Sequence, residues 1–229
     1  MRPSHYRPYD AASVANVRNR LLPVMHLETG EAVLLYAETE KRFEERAVFG
    51  RTPPTAEGSG DVSPAKWMAE HVEAIAHDAH NRTTERPVIV ELPLVALLHP
   101  DTPVACDAAI ARTRLCPQEI CLDVQDAALA LPAGRNAQNA IEALRRCGFR
   151  VSLNATRSWQ APLGHNMRLL LDSLRVDARK IEGDDALQDR IETAAASGML
   201  VIAENANWRD TYYLNEMGVD YGLRMRADA

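Results

Sequence analysis

The sequence lacks the features that mark several large protein classes. No apolar run approaches the ~20 residues needed to cross a bilayer. The opening stretch, MRPSHYRPYD, is polar and carries no hydrophobic segment of a secretory signal. Both absences lead us to expect a cytoplasmic protein with no membrane partner. No block of lysine and arginine is long enough to track a phosphate backbone, and the net charge is −6, so nucleic acid is not an expected partner either. The chain has only four cysteines (Cys106, Cys116, Cys121 and Cys147) and no CxxC spacing. They read as reduced, packed thiols, with no cofactor and no metal assigned to them. What is present is an ordinary globular balance, 46% hydrophobic and 25% charged over 229 residues, enough for one large core and a single domain over 1–229.

The punctuation of the chain suggests its elements. Residues 12–20 (ASVANVRNR) have the look of a short helix. LLPVMHLETGEAVLLYAE reads as two strands around Glu28-Thr29-Gly30, a hairpin signal. Residues 50–63, rich in Pro, Gly and Ser, read as a mobile loop too short for a domain linker. Ser63-Pro64 suits an N-cap followed by the first helical residue of a helix reaching about His80. From PVIVEL (87–92) onward strands and helices alternate. Strands are expected at 119–126 and 149–155, within 173–181, in MLVIAEN and from VDYGLRM. Helices are expected from about 104, and over 136–147, 163–171, 184–197 and 211–218. A spacing near 30 residues argues for parallel βαβ units, and their number favours a closed (β/α)8 barrel of TIM type over a doubly wound sheet.

In a barrel the chemistry sits at the C-terminal ends of the strands. This gives weight to EAVLLYAETE, residues 31–40, which begins as a buried strand and ends in acids. Period-2 alternation puts Tyr36, Glu38 and Glu40 on one face. The other strand ends contribute Glu91, Asp123 and Asp126, Asn154 and Ala155, Arg175 and Asp177, Glu204 and the segment after Tyr221.

These strand ends resemble the EAL family, barrel domains that hydrolyse or sense cyclic di-GMP. PVMHLETGEAVLLYAE looks like "PIVDLxTGxxxGxEAL", and ALRRCGFRVSLNATRSW stands in the place of "LxxLGxxxALDDFGTGY". LDSLRVD looks like "VDxLKID", MLVIAENANW like "xVVAEGVET" and NEMGVDYGL like "xxLGCDYxQGY". Five segments in the family's order, at near-family spacing, carry the resemblance. It implies a barrel whose first strand is antiparallel, with a closing segment that is short or missing after the last strand. It also implies a site in which carboxylates and an asparagine hold two divalent ions that generate a hydroxide and clamp a phosphate. Against that pattern the signature glutamate is Tyr36, a neutral phenol near pH 7. The asparagine of the next strand is Glu91, and the next glutamate is Asp123. The paired aspartates are Asn154 and Ala155. The lysine is Arg175, which cannot exchange a proton. The final glutamine is Leu223. Glu204 keeps its identity, and Asp177 survives beside the lysine position. At two positions that touch the dinucleotide in the family stand Leu22 and Glu40, the second with a charge opposite to the family's arginine. Cyclic di-GMP binding is therefore expected to be weak or absent.

Two arrangements of the mouth remain open. Glu38, Glu91, Asp123 and Glu204 could make a substitute metal site. Alternatively, Arg175 pairs with Asp123 or Glu204, or both, as an ion-pair plug, while Tyr36 fills the mouth with its ring. His71, His77 and His80 share one helix on the outside of the barrel, where a solvated face is the default. Trp159 is either a buried plug or an interface anchor. Trp208, Tyr212 and Tyr213 are either exposed interface residues or part of the core. The composite expectation is a catalytically inactive EAL-like signalling protein that works through an unidentified protein partner, with a homodimer open. The alternatives are a non-hydrolysing cyclic di-GMP receptor and a divergent metal-dependent phosphodiesterase.

Overall fold

The structure, a computed structural model, describes residues 19–39, 63–130 and 134–225. The expectations for residues 12–18 and for the loop 50–62, and the Glu40 position, lie outside the described residues. Asn19 and Arg20, read above as the end of a helix, instead begin the first strand, because they pair with Thr39 and Glu38 across a hairpin.

Eight strands close into one barrel, each beside its sequence neighbour. They are β1 (Asn19–His26), β2 (Ala32–Thr39), β3 (Val88–Leu92), β4 (Ile120–Gln125), β5 (Arg150–Asn154), β6 (Ser173–Asp177), β7 (Leu200–Glu204) and β8 (Tyr221–Leu223). β1 runs antiparallel to both β2 and β8, and the remaining pairs are parallel. Three-residue β8 pairs with β7 on one side and with β1 on the other, so it closes the barrel by itself.

Helices alternate with the strands: α1 (Pro64–Ala79), α2 (Leu94–Leu97), α3 (Thr102–Ile110), α4 (Asp126–Ala130), α5 (Gly134–Arg146), α6 (His165–Arg168), α7 (Asp185–Ala196) and α8 (Thr211–Glu216). The Ser63 hydroxyl caps α1 by accepting from the Lys66 amide at 3.2 Å, with Pro64 in the first turn. Two short helices, α2 and α4, were not anticipated, because each follows a strand with too few residues to show a helical period. The strand expected within 173–181 is Ser173–Asp177, where the Asp177 side chain accepts from the Arg179 amide and turns the chain into a 3-10 segment. The helix expected over 163–171 is the single turn α6. At the end of α8, Gly218 has a φ of +85°, and a Cβ there would lie 2.8 Å from Ala195 Cβ, so both backbone and space demand glycine.

The strands sort their side chains by period 2. Val88, Val90 and Leu92, Ile120, Leu122 and Val124, Val151 and Leu153, Leu174 and Val176, and Val201 and Ala203 join the layer between barrel and helices. The alternate positions point inward. At the lower levels they are Val24, Leu34, Ile89, Cys121 and Ile202, which form the interior core with Tyr36 and Leu223. Each large apolar side chain buried in these layers contributes about 1.5–3 kcal/mol. At the C-terminal level the inward positions turn polar: Glu91, Asp123, Asn154, Arg175 and Glu204. The same alternation that builds the core therefore delivers charge to the barrel mouth.

Candidate functional site

Arg175 lies at the centre of the mouth and is 2% exposed. Its Nη2 donates to Asp123 Oδ2 at 2.6 Å and its Nη1 to Glu204 Oε2 at 3.0 Å. Glu91 Oε1 is 3.5 Å from Nη2. Register explains the convergence: Asp123 stands opposite Glu91 across β3–β4, and Arg175 opposite Asn154 across β5–β6. Burial works against the charge on Arg175, but Asp123, Tyr36 and Glu91 outweigh it and raise its pKa. For Asp123 burial dominates and pushes the carboxyl above its ordinary value, against the pull of Arg175.

Tyr36 closes the next side. Its hydroxyl donates to Glu91 Oε1 at 2.6 Å. Its ring carries the Arg175 guanidinium at 4.6 Å from the centroid, a cation–π contact in a desolvated setting. Burial raises the Tyr36 pKa, so the phenol is a neutral donor. Asn154 Nδ2 donates to Asp123 Oδ2 at 3.1 Å, while its Oδ1 accepts from the Thr156 amide at 3.1 Å and the Thr156 hydroxyl at 2.7 Å. Its amide oxygen is thus turned toward the loop after β5.

Several other expected site residues are placed elsewhere. Ala155 is fully buried in the outer layer, one residue out of phase with the mouth. The Asp177 carboxylate is taken by the Arg179 side chain at 2.9 and 2.6 Å, whose hydrogen bonds hold its pKa low. Leu223 and Leu22 belong to the interior apolar cluster. The Trp159 ring packs against the outer core with Lys180 5.6 Å from its centroid, and its carbonyl accepts from Arg190 at 3.0 Å. Trp208 is half-buried, and its carbonyl accepts from the Thr211 hydroxyl. Tyr212 and Tyr213 are exposed, at 74% and 44%. His71 corrects the solvated-face expectation: it is 4% exposed, stacks on Trp67 at 5.1 Å, and its Nε2 is 3.1 Å from the Thr39 hydroxyl. Burial lowers its pKa to about 4. His77 is exposed and His80 half-buried, with its Nδ1 3.0 Å from the His77 carbonyl.

Two arginines absent from the expectations complete the arrangement. Arg224, immediately after β8, donates to both Glu204 and Glu38, and its guanidinium is 5.7 Å from the Tyr36 centroid. Arg190 on α7 reaches 64 residues back to the fully buried Asp126 at 2.6 Å. Asp126 also accepts from the Ser158 hydroxyl at 2.9 Å and from the Gln160 and Ala161 amides at 2.8 and 3.2 Å. This anchors the loop that follows Asn154. No local pattern pointed to either arginine, since both contacts arise only when the barrel closes.

The EAL domain family model matches residues 17–222. The chain belongs to the EAL family. Solved EAL structures share its fold. The EAL enzyme Bd1971, in its cAMP and cyclic-di-GMP bound form, is 17% identical, covering 93% of this chain and 61% of that one, with a TM-score of 0.67. This chain thus spans less than two thirds of Bd1971. The PaMucR phosphodiesterase in its c-di-GMP complex is 14% identical, with coverage of 93% and 91% and a TM-score of 0.68. An EAL domain protein from Listeria monocytogenes EGD-e is 12% identical, with coverage of 93% and 88% and a TM-score of 0.67. At such identities the likeness shows the fold. No curated protein matches the chain. Among the described residues no helix is long and apolar enough to cross a membrane.

Proposed function

We propose that this EAL domain is a cytoplasmic component of cyclic di-GMP signalling that acts through contact with another protein and does not hydrolyse the dinucleotide. The observation that carries this reading is Arg175, whose guanidinium fills the space between Asp123 and Glu204. A divalent ion needs several oxygen ligands around it. Here the two most buried of the acids at the mouth, Asp123 and Glu204, are already turned onto a fixed cation. Asn154 offers its amide hydrogens to Asp123 and commits its oxygen to Thr156. Tyr36 contributes a proton donor in place of an anion. These residues do not fit a pair of divalent ions. The protein-contact part of the reading is supported by the exposed tyrosines Tyr212 and Tyr213 of α8.

Cyclic di-GMP incubated with the wild-type protein and Mg²⁺ or Mn²⁺ should remain intact. Its Kd should be weaker than ~100 μM, corresponding to less than about 5.5 kcal/mol of binding. The dinucleotide should therefore give little thermal stabilisation at concentrations up to that value. Turnover that disappears in Glu204→Gln would establish a divergent phosphodiesterase instead. A low-micromolar Kd without turnover would establish a receptor.

A further inference from the structure

We infer that Arg175 and Arg224 form an internal cation pair that occupies the barrel mouth, and that Arg224 is its latch, keeping Glu38 and Glu204 from taking up a divalent cation. This rests on the non-hydrolytic reading above and adds to it a second residue and a removable occupant.

Four carboxylates face the mouth: Glu38, Glu91, Asp123 and Glu204. Two guanidinium groups meet them. Glu204 bridges the two, giving Oε2 to Arg175 and Oε1 to Arg224. Asp123, fully buried, is held by Arg175, and Glu38 by Arg224. Asp123 and Glu204, the two with least access to water, are each paired directly with the Arg175 guanidinium. Glu38 and Glu91, whose side chains are 35% and 33% exposed, share the remainder with solvent. Both guanidinium groups also lie against the Tyr36 ring.

Arg224 carries a second mark of its role. Its φ is +54°, left-handed backbone that a long side chain rarely adopts. Such conformations persist where surrounding contacts over-determine them. Here those contacts are Glu204, Glu38 and Tyr36. The chain doubles back directly after β8: a Cβ on Gly222 would collide with the Met225 side chain and with Leu27. That fold-back accompanies the turn that aims Arg224 over the mouth. The fit is also incomplete deeper down. Arg175 Nε, shut off from solvent, has no hydrogen-bond partner. A planar fork reaches only some of the positions that the acids present.

The two arginines are not equivalent. Arg175 is enclosed by the barrel, whereas the Arg224 side chain is 31% exposed and comes from the end of the last strand. It can be removed without opening the core. Doing so frees Glu204 Oε1 and the Glu38 carboxylate together, at a rim where hard cations such as Mg²⁺ and Mn²⁺ find oxygen ligands and water to complete their shell.

The test compares wild type with Arg224→Gly, which removes the guanidinium and suits the left-handed backbone. Mn²⁺ binding is read by electron paramagnetic resonance and by the shift of the thermal midpoint in 0–10 mM Mn²⁺. The wild type should bind no Mn²⁺ in this range and show no shift. Arg224→Gly should bind about one ion per chain and gain stability with Mn²⁺, and adding Glu38→Gln should abolish both effects. Arg224→Lys, a milder change that retains a charge but cannot fork to both acids, should show the same gain in weaker form. Equal uptake by wild type and variants, or no uptake by either Arg224 variant with its far-ultraviolet circular dichroism intact, overturns the inference. Dinucleotide hydrolysis by the wild type would instead overturn the non-hydrolytic reading, so the two failures are separable.

Discussion

Removing Arg175 is the sharpest perturbation this molecule offers. Arg175→Ala leaves the fully buried Asp123 without a cation and Glu204 with Arg224 alone, and removes the guanidinium from the Tyr36 ring. Breaking a buried pair from one side costs about 3–5 kcal/mol, because the surviving charge is stranded. A chain of this size loses roughly 2–4 °C of melting temperature per kcal/mol, so a fall of about 6–20 °C is expected by differential scanning calorimetry. The penalty should depend on pH with a definite sign. Burial already raises the Asp123 pKa against the pull of Arg175, and without the guanidinium the carboxyl rises further. A group whose folded pKa lies above its unfolded value adds stability at low pH and loses it as pH rises through the folded pKa. The gap between wild type and Arg175→Ala should therefore be smaller at pH 5 than at pH 8. Neutralising the stranded partner as well, with Arg175→Met and Asp123→Asn combined, should recover much of the loss, since the cost lies in the uncompensated charge. A melting temperature within about 2 °C of wild type for Arg175→Ala, with no pH dependence of the difference, would refute the ion-pair reasoning.

Two further expectations follow from groups away from the centre. Burial lowers the His71 pKa from 6.5 to about 4, so the unfolded chain binds the extra proton first; stability is complete above about pH 6.5 and falls toward pH 4 by about 3 kcal/mol. Chemical denaturation of wild type and His71→Gln across that window should show a flatter profile for the variant, and parallel profiles would show that His71 is not the titrating group. Asp126→Asn strands the buried Arg190 guanidinium and weakens the hold on the loop after β5, so trypsin should cleave after exposed Arg157 faster than in wild type; an unchanged cleavage rate would detach that loop from the Asp126 anchor.

How far the sequence revealed this molecule depended on the range of the interactions involved. The barrel was legible because its signals are local and repeated. VIVEL, ICLDV, SLRVD and LVIAE each alternate an outward aliphatic with an inward residue, and glycines such as Gly148 and Gly218 mark helix ends. Short elements escaped for the same reason. α2 and α4 are four and five residues long, less than two helical turns, and leave no periodic trace. His71 was misread because its own polarity outweighed its position. It follows Trp67 by four residues and sits among Met68, Val72 and Ile75 on the buried face, a spacing visible in the sequence.

The site divides along the same line. Arg175, Asp123 and Glu204 could be brought together on paper because each ends a strand and a parallel barrel aligns strand ends at one level. Arg224 could not. Its contact with Glu38 joins positions 186 residues apart, made only because β8 lies against the antiparallel β1 and brings the turn after β8 to the mouth. Its left-handed backbone adds a conformation that arginine's own preferences argue against. Where sequence preference and observed conformation disagree at a cluster of charges, the surrounding contacts are what hold the residue there. That is why the latch was invisible in the sequence, and why its removal, which relieves the backbone while releasing two acids, separates a structural arginine from one that occupies the place of a cation.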